Sequence, residues 1–235
     1  MAMIHLTHAL RTLLPLFLIL GTVSLSGQNN PYTSAAQSDP EARRILESIR
    51  QKYDGYETIT GDFKLEISLP GQPVEVQTGT LKRKGDFVRF RVGSQEGIIN
   101  QVAAYYILHG SKEVQINDLP EPGETTGMLS PQNLFSFYEG EEYVLALQRE
   151  EDLDGRKVKV IEMKPVDRNN SDFTKMRLLV DDRAREIVSV KAFSSDGSSF
   201  TFVLNNVRGD QRLDDAVFTF RQDEFSGYRV EDLRF

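Results

Sequence analysis

The chain has 235 residues, no cysteine and a formal net charge of −7, with 28 basic residues set against 35 acidic ones. The basic residues alternate with acids instead of clustering, which argues against nucleic acid as a partner. Without cysteine there is no disulfide framework, no thiolate metal site, no cysteine nucleophile and no lipid-anchoring cysteine, so an apolar core has to stabilise the fold unaided.

Arg11 precedes an apolar run from Leu13 to Leu20 that gives way to Ser24, Ser26 and Gly27, the layout of a secretory signal peptide. The run is shorter than the roughly 20 residues that a bilayer span needs. Residues 1–27 are therefore expected to be a signal peptide, 28–37 a disordered lead-in, and 38–235 a single soluble domain. Ser38-Asp39-Pro40-Glu41 supplies an N-cap, a proline at the first helical position and an early acid. Ala42, Ile45, Leu46, Ile49 and Tyr53 follow at helical spacing before Gly55, which predicts one amphipathic helix.

From Phe63 the period changes to two. Phe63, Leu65, Ile67 and Leu69 fall on one face, and Lys64, Glu66 and Ser68 on the other. Similar runs at 74–83, 87–92, 102–108, 143–148, 158–163, 174–180, 187–193, 200–204 and 217–220 are separated by turn signals such as Lys84-Gly85-Asp86 and Asp154-Gly155. Ser130-Pro131 is a second helix start, with Leu134, Phe135 and Tyr138 on one side. Short consecutive strands predict a mainly antiparallel β fold. Two helices are too few to cover about ten strands, so the expected architecture is a closed barrel or an open half-barrel with a helical lid, enclosing an apolar cavity.

Catalytic chemistry is sparse. His5 and His8 lie in the expected signal peptide, leaving His109, read as a structural or turn residue. No histidine triad or His/Cys metal site can be assembled, and no nucleophile elbow, phosphate loop or dinucleotide fingerprint occurs. The acidic runs at 139–142, 150–154, 181–182 and 214–215 contain the raw material of a carboxylate pair or a calcium site, but each adjoins a predicted turn, where acids are ordinarily solvated. The sequence points to a binding protein, with no enzyme activity, metal or cofactor expected.

In this order along the chain, several segments resemble the periplasmic outer-membrane lipoprotein carrier family (LolA), in a form similar to that of Bacteroidetes-like bacteria. They are Asp39 to Leu46, Tyr53 to Ile59, Gly61-Asp62-Phe63, then Gly79-Thr80-Leu81-Lys82-Arg83-Lys84-Gly85-Asp86-Phe87-Val88-Arg89-Phe90, and finally Phe218-Thr219-Phe220 with Gly227, Val230 and Asp232. Lys84 stands where the family has proline, Phe90 where it often has tryptophan, and the family's aromatic-Asp-Pro turn is absent after Tyr105 to His109.

The resemblance implies a monomeric periplasmic chaperone that takes a lipoprotein from an inner-membrane ABC-type release complex, shields its acyl chains, and delivers it to an outer-membrane receptor or the outer membrane itself. It implies lipid contact for Phe63, Leu65, Ile67, Phe90, Tyr106, Leu134 and Phe135. Arg83 would be the latch that holds the lid segment, Ser130 to Tyr138, closed. The alternatives within the same fold are a half-barrel binder of another lipid and an envelope-stress sensor. A carboxylate-dependent hydrolase and a structural protein with a filled core are further competitors.

Overall fold

A 15-residue helix, α1 (Pro40–Asp54), is the one α-helix among the residues that this computed structural model describes, namely 34–119, 134–135, 142–169, 171 and 173–234. Asp39 caps it, its Oδ1 accepting from the backbone N–H of Glu41 (2.8 Å) and Ala42 (3.2 Å). Pro40 stands at the first turn, where an N–H would have no intrahelical partner. The stripe that the spacing predicts, Ala42, Ile45, Leu46, Ile49 and Tyr53, is the face that is buried.

The helix continues into a meander of six strands, β1 (Thr58–Ser68), β2 (Glu75–Lys84), β3 (Phe87–Val92), β4 (Gln95–Ile99), β5 (Ala104–Leu108) and β6 (Glu113–Asn117). A second meander follows, β7 (Tyr143–Leu153), β8 (Arg156–Pro165), β9 (Phe173–Asp181), β10 (Glu186–Ser194) and β11 (Ser199–Gly209), and then a short β12 (Arg229–Asp232). All twelve join one open sheet in the order β12-β6-β5-β4-β3-β2-β1-β11-β10-β9-β8-β7. The seam between the meanders is the long β1–β11 pair, antiparallel like all the others except β12–β6, which is parallel. Tyr32–Phe235 makes one compact unit.

Turn chemistry explains the hairpins. Asp154 and Gly155 both have positive φ (52° and 81°), as a two-residue turn that follows strand twist requires. Asp152 locks that turn by accepting from Gly155 N–H at 2.7 Å.

Several sequence expectations need correction. Ala35–Gln37, placed in the disordered lead-in, is a 3-10 turn capped by Ser34. It is held because Leu145 of the edge strand β7 accepts from Asp39 N–H (2.8 Å) and donates to Ser38 Oγ (3.0 Å). Ser38 and Asp39 thereby cover polar backbone on an otherwise open edge. The strand expected from Val102 begins only at Ala104, because Asn100 Oδ1 accepts from Val102 and Ala103 N–H and turns the chain. The strand expected at 217–220 is instead a 3-10 turn, Asp215–Phe218, capped by Asp214. Strands β4, β6 and β12 carry too much charge or too few residues to show the alternation that betrays the others. Of the second expected helix only Leu134 and Phe135 lie within the described residues.

The same alternation leaves two cores. The larger lies on the inner face, where α1 packs with Phe63, Leu81, Phe90, Leu134, Phe135, Met163, Leu178 and Phe202. The smaller lies on the opposite face, where Ile98, Tyr105, Ile107 and Val114 are covered by Phe220, Phe225 and Tyr228 of the C-terminal segment.

Asp39→Ala removes the acceptor for two orphan helix N–H groups and should lower stability by about 1 kcal/mol. Chemical denaturation should show this as a lower midpoint with an unchanged slope.

Candidate functional site

The candidate site is the inner face of the sheet, and it is built from rings laid over glycine. Phe63 pairs across β1–β2 with Gly79, and Phe90 pairs across β3–β4 with Gly97. A Cβ at Gly79 would sit 2.2 Å from the Phe63 ring and 2.5 Å from the Arg91 carbonyl, and one at Gly97 would sit 2.3 Å from the Phe90 ring. Any side chain there would lift the aromatic off the sheet. Phe202 lies beside Phe63, ring centroids 5.5 Å apart.

Along β1 the inner-face side chains become progressively more exposed. Phe63 is 2% exposed, Leu65 and Ile67 are half-buried, and Leu69 reaches 36%. Across the β1–β11 pair, Phe200 faces Ile67 and is itself half-buried, as are Tyr106, Tyr143, Leu145 and Leu147 on the same core. Burial pushes the Tyr106 hydroxyl above its ordinary pKa. The inner face thus grades from a sealed core under α1 to a rim of accessible apolar groups.

Of the residues expected to contact lipid, Phe63, Phe90, Leu134 and Phe135 are buried in the main core, with Leu65 and Tyr106 packed on its margin. Ile67 lies at the rim, outside the clustered residues.

The latch role expected of Arg83 would have it reach the segment from Ser130 to Tyr138. Of that segment only Leu134 and Phe135 lie within the described residues, among which Arg83 donates from Nη2 to the Tyr53 carbonyl of α1 at 3.0 Å. That carbonyl belongs to the last turn of the helix, which lacks intrahelical donors and carries partial negative charge, so a guanidinium suits it. Tyr53 is the hub. Its Oη accepts from Ile187 N–H at 3.1 Å, and its ring meets Phe135 edge-on at 4.7 Å. Tyr53 therefore joins Arg83 to Phe135, its carbonyl taking the guanidinium and its ring meeting the phenylalanine.

The acidic run at 181–182 is committed to fastening α1. Asp182 takes Arg44 (3.2 Å) and Lys159 (3.1 Å), and Lys159 also holds Glu41 at 2.6 Å. Arg156 bridges Asp181 (2.7 Å) and Glu186 (2.8 Å), and Glu186 takes Lys52 of the helix at 2.9 Å. Burial raises the pKa of Asp181 and Asp182, but hydrogen bonds from the Ala184 backbone and Arg156, and from Lys159 and Arg44, outweigh it and hold both below the usual carboxylate range. Both stay ionised, the wrong state for a general acid. Asp214 caps a 3-10 turn, and Asp215 pairs with Lys84 at 2.6 Å. Among the described residues no group of three or more His, Asp or Glu side chains could hold a metal ion.

His109 is a structural tie on the other face. Its Nδ1 lies 2.9 Å from Tyr228 Oη, and its Nε2 lies 3.2 Å from Glu96 Oε2. Glu96 is 8% exposed and receives Arg89 Nε at 2.6 Å, and Arg89 also donates to the Val217 carbonyl. The network ties the C-terminal segment down, and sequence reading missed it because its members are far apart in the chain.

No protein-family model matches the chain, and no curated protein matches it. Among solved structures, an uncharacterised conserved protein from Thermus thermophilus superposes with a TM-score of 0.53 at 9% identity, covering 82% of this chain and 99% of that one. The LolA superfamily protein NE2245 from Nitrosomonas europaea gives a TM-score of 0.40 at 14% identity, over 76% of this chain and 97% of that one. LprF from Mycobacterium bovis gives 0.47 at 14% identity, over 75% and 97%.

Gly79→Ala should displace Phe63 and strain the β2 backbone, with a cost of about 1 to 3 kcal/mol, visible as a lower Tm. Gly71→Ala meets nothing within 4 Å but has a φ of +71°, so its cost is backbone strain alone and should be smaller. The chain shares the open-sheet fold of the Thermus thermophilus protein.

Proposed function

We propose that this protein is a periplasmic carrier that shelters lipoprotein acyl chains against the inner face of its sheet and delivers them from the inner to the outer membrane. The observation that carries this is the exposure gradient along β1, from sealed Phe63 through half-buried Leu65 and Ile67 to Leu69, matched by Phe200 across the strand pair. Contiguous apolar groups at a rim are costly to leave in water, and acyl chains are the ligand whose transfer gains most from them, at about 0.8 kcal/mol per methylene. The order of the resembling segments, through Arg83 and on to Asp232, supports the same reading.

In this reading Leu65, Ile67 and Tyr106 offer the lipid-contacting margin, and Phe63, Phe90, Leu134 and Phe135, buried in the core behind it, meet lipid when the lid opens, with no covalent step and no cofactor. The partners are an ABC-type release complex at the inner membrane and a receptor, or the membrane itself, on the outer side. The segment around Leu134 and Phe135 acts as the lid, and Arg83 acts on it through Tyr53, which it anchors while Phe135 rests on the ring of the same residue.

Leu65→Glu and Ile67→Glu place a charge at the half-exposed rim, where the fold tolerates it. Each should weaken binding of a fluorescent acyl-chain probe by about tenfold or more while leaving the circular dichroism melt near wild type. Unchanged probe affinity in both variants would remove the rim from the ligand site. Mass spectrometry of what co-purifies from the cell envelope separates the cargo classes, lipoprotein supporting the carrier and free lipid alone supporting a different lipid as ligand.

Arg83→Leu removes one charged hydrogen bond, worth about 1.5 to 3 kcal/mol, from the C-terminal end of α1. The variant should stay folded and take up cargo yet deliver less of it, seen in fractionation as lipoprotein retained on the soluble carrier. Wild-type delivery by a folded variant would reduce Arg83 to a helix-end contact.

A further inference from the structure

We propose that the outer face of β8–β10, centred on Phe193, is a docking surface for an anionic lipid bilayer. The strand register brings the parts together. Lys175 pairs with Phe193 and Arg177 with Lys191 across β9–β10, and Glu162 pairs with Arg177 across β8–β9. Lys164 lies two residues beyond Glu162, on the same side of the strand. The alternate residues Met163, Met176 and Ala192 enter the inner core, so this set projects from the opposite face.

Three cations gather on one ring. Lys175 Nζ lies 5.0 Å, Lys191 Nζ 5.2 Å and the Arg177 guanidinium carbon 5.7 Å from the Phe193 centroid. Lys164 (3.2 Å), Lys175 (3.5 Å) and Arg177 (3.5 Å) also share a single carboxylate, Glu162. Among the described residues the patch therefore sets Lys175, Arg177 and Lys191 against one carboxylate, Glu162, in a chain whose net charge is −7. Depth sharpens the imbalance. The Glu162 side chain is 12% exposed, whereas those of Lys164, Lys175 and Arg177 are 35%, 34% and 33% exposed, so the acid is recessed beneath an outward layer of cations. Arg177 Nε is buried and has no hydrogen-bond partner among the described residues. Asp196, in the β10–β11 turn, is engaged by the backbone and hydroxyl of Ser198.

Gathering like charges in this way is unfavourable for the isolated protein, and a dense layer of anions relieves it. The arrangement favours a bilayer over an acidic peptide. The cations are spread over three adjacent strands about 4.8 Å apart, which makes a plane and not a groove, and a half-buried aromatic lies at the centre where the headgroup layer meets apolar chain. Such a surface would orient the sheet on a membrane without inserting into it. The proposal does not rest on the acyl-chain reading, since it uses the other face.

The test is co-sedimentation of the purified protein with vesicles of phosphatidylcholine alone or with added phosphatidylglycerol. Wild type should bind the anionic vesicles selectively and release from them in high salt. The double variant Lys175→Gln/Lys191→Gln should bind about twenty-five-fold more weakly, about fivefold for each lysine near an anionic surface. Lys175→Arg/Lys191→Arg should restore binding, and a thermal melt checks that each variant is folded. All variants retain the N-terminal apolar run, so the difference between them reports the patch. Ile67→Glu should bind vesicles as wild type does, even where it loses the acyl probe. Equal binding to both vesicle types, or equal binding by wild type and the double glutamine variant, overturns the proposal. So does capture by soluble polyglutamate without any binding to vesicles, which would reassign the patch to an acidic protein partner.

Discussion

The fold depends on how α1 is seated across the inner face of an open sheet. Burying Ile45, Leu46 and Ile49 stabilises the assembly by roughly 5 to 9 kcal/mol, at about 1.5 to 3 kcal/mol for each aliphatic side chain. The ion pairs along the flank of the helix, Arg44–Asp182, Lys159–Glu41 and Lys52–Glu186, are partly exposed and each contributes about 0 to 1 kcal/mol. Burial therefore holds the helix down and the ion pairs set its angle. Both ends are tied: the N-terminal end to Leu145 of the edge strand, the C-terminal end to Arg83 and, through the Tyr53 hydroxyl, to Ile187. The helix is thus a fixed strut, and any moving cover has to be another part of the chain.

An open sheet has two faces, and this one treats the halves of its outer face differently. Over β4–β6 the outer residues Ile98, Tyr105, Ile107 and Val114 are apolar, and the C-terminal segment covers them with a stack in which Phe220 lies 4.5 Å from Tyr105 and 5.5 Å from Phe225. A buried Glu96, held by Arg89 and His109, fixes that cover in register. At the Phe193 end of β8–β10 the outer residues Glu162, Lys175, Arg177 and Lys191 are charged and partly exposed, whereas Val158 and Val160 farther along β8 are buried. The protein therefore has a sealed outer quarter, a charged outer quarter and a graded inner face, three surfaces with different chemistry.

The rings over Gly79 and Gly97 connect packing to function. Laying Phe63 and Phe90 flat over Gly79 and Gly97 closes the floor of the inner face and buries both rings in the core that α1 covers. Toward the rim no helix among the described residues covers Ile67 or Leu69, and their exposure follows from that. The proposed carrier role would use this gradation, because a fully sealed face takes up nothing and a fully exposed one aggregates.

Local periodicity was enough to determine the helix from Pro40 and its buried stripe, most strands of both meanders, the antiparallel pairing and the inner-face side of Phe63, Leu65 and Ile67, because each depends on neighbours within a few residues. The resembling segments singled out Arg83, which the structure shows hydrogen-bonded to the last turn of α1. That contact was decided by tertiary structure, since the C-terminal carbonyls of α1 lie where β2 crosses them and no spacing in the sequence encodes that distance. The same holds for the second core. The aromatics at 218, 220, 225 and 228 read as a strand followed by a loop until the chain folds back over β4–β6 and gives them a surface to cover. The charged patch is invisible in one dimension for a related reason: Glu162, Arg177 and Lys191 become neighbours only through strand register, and register is set by the whole sheet.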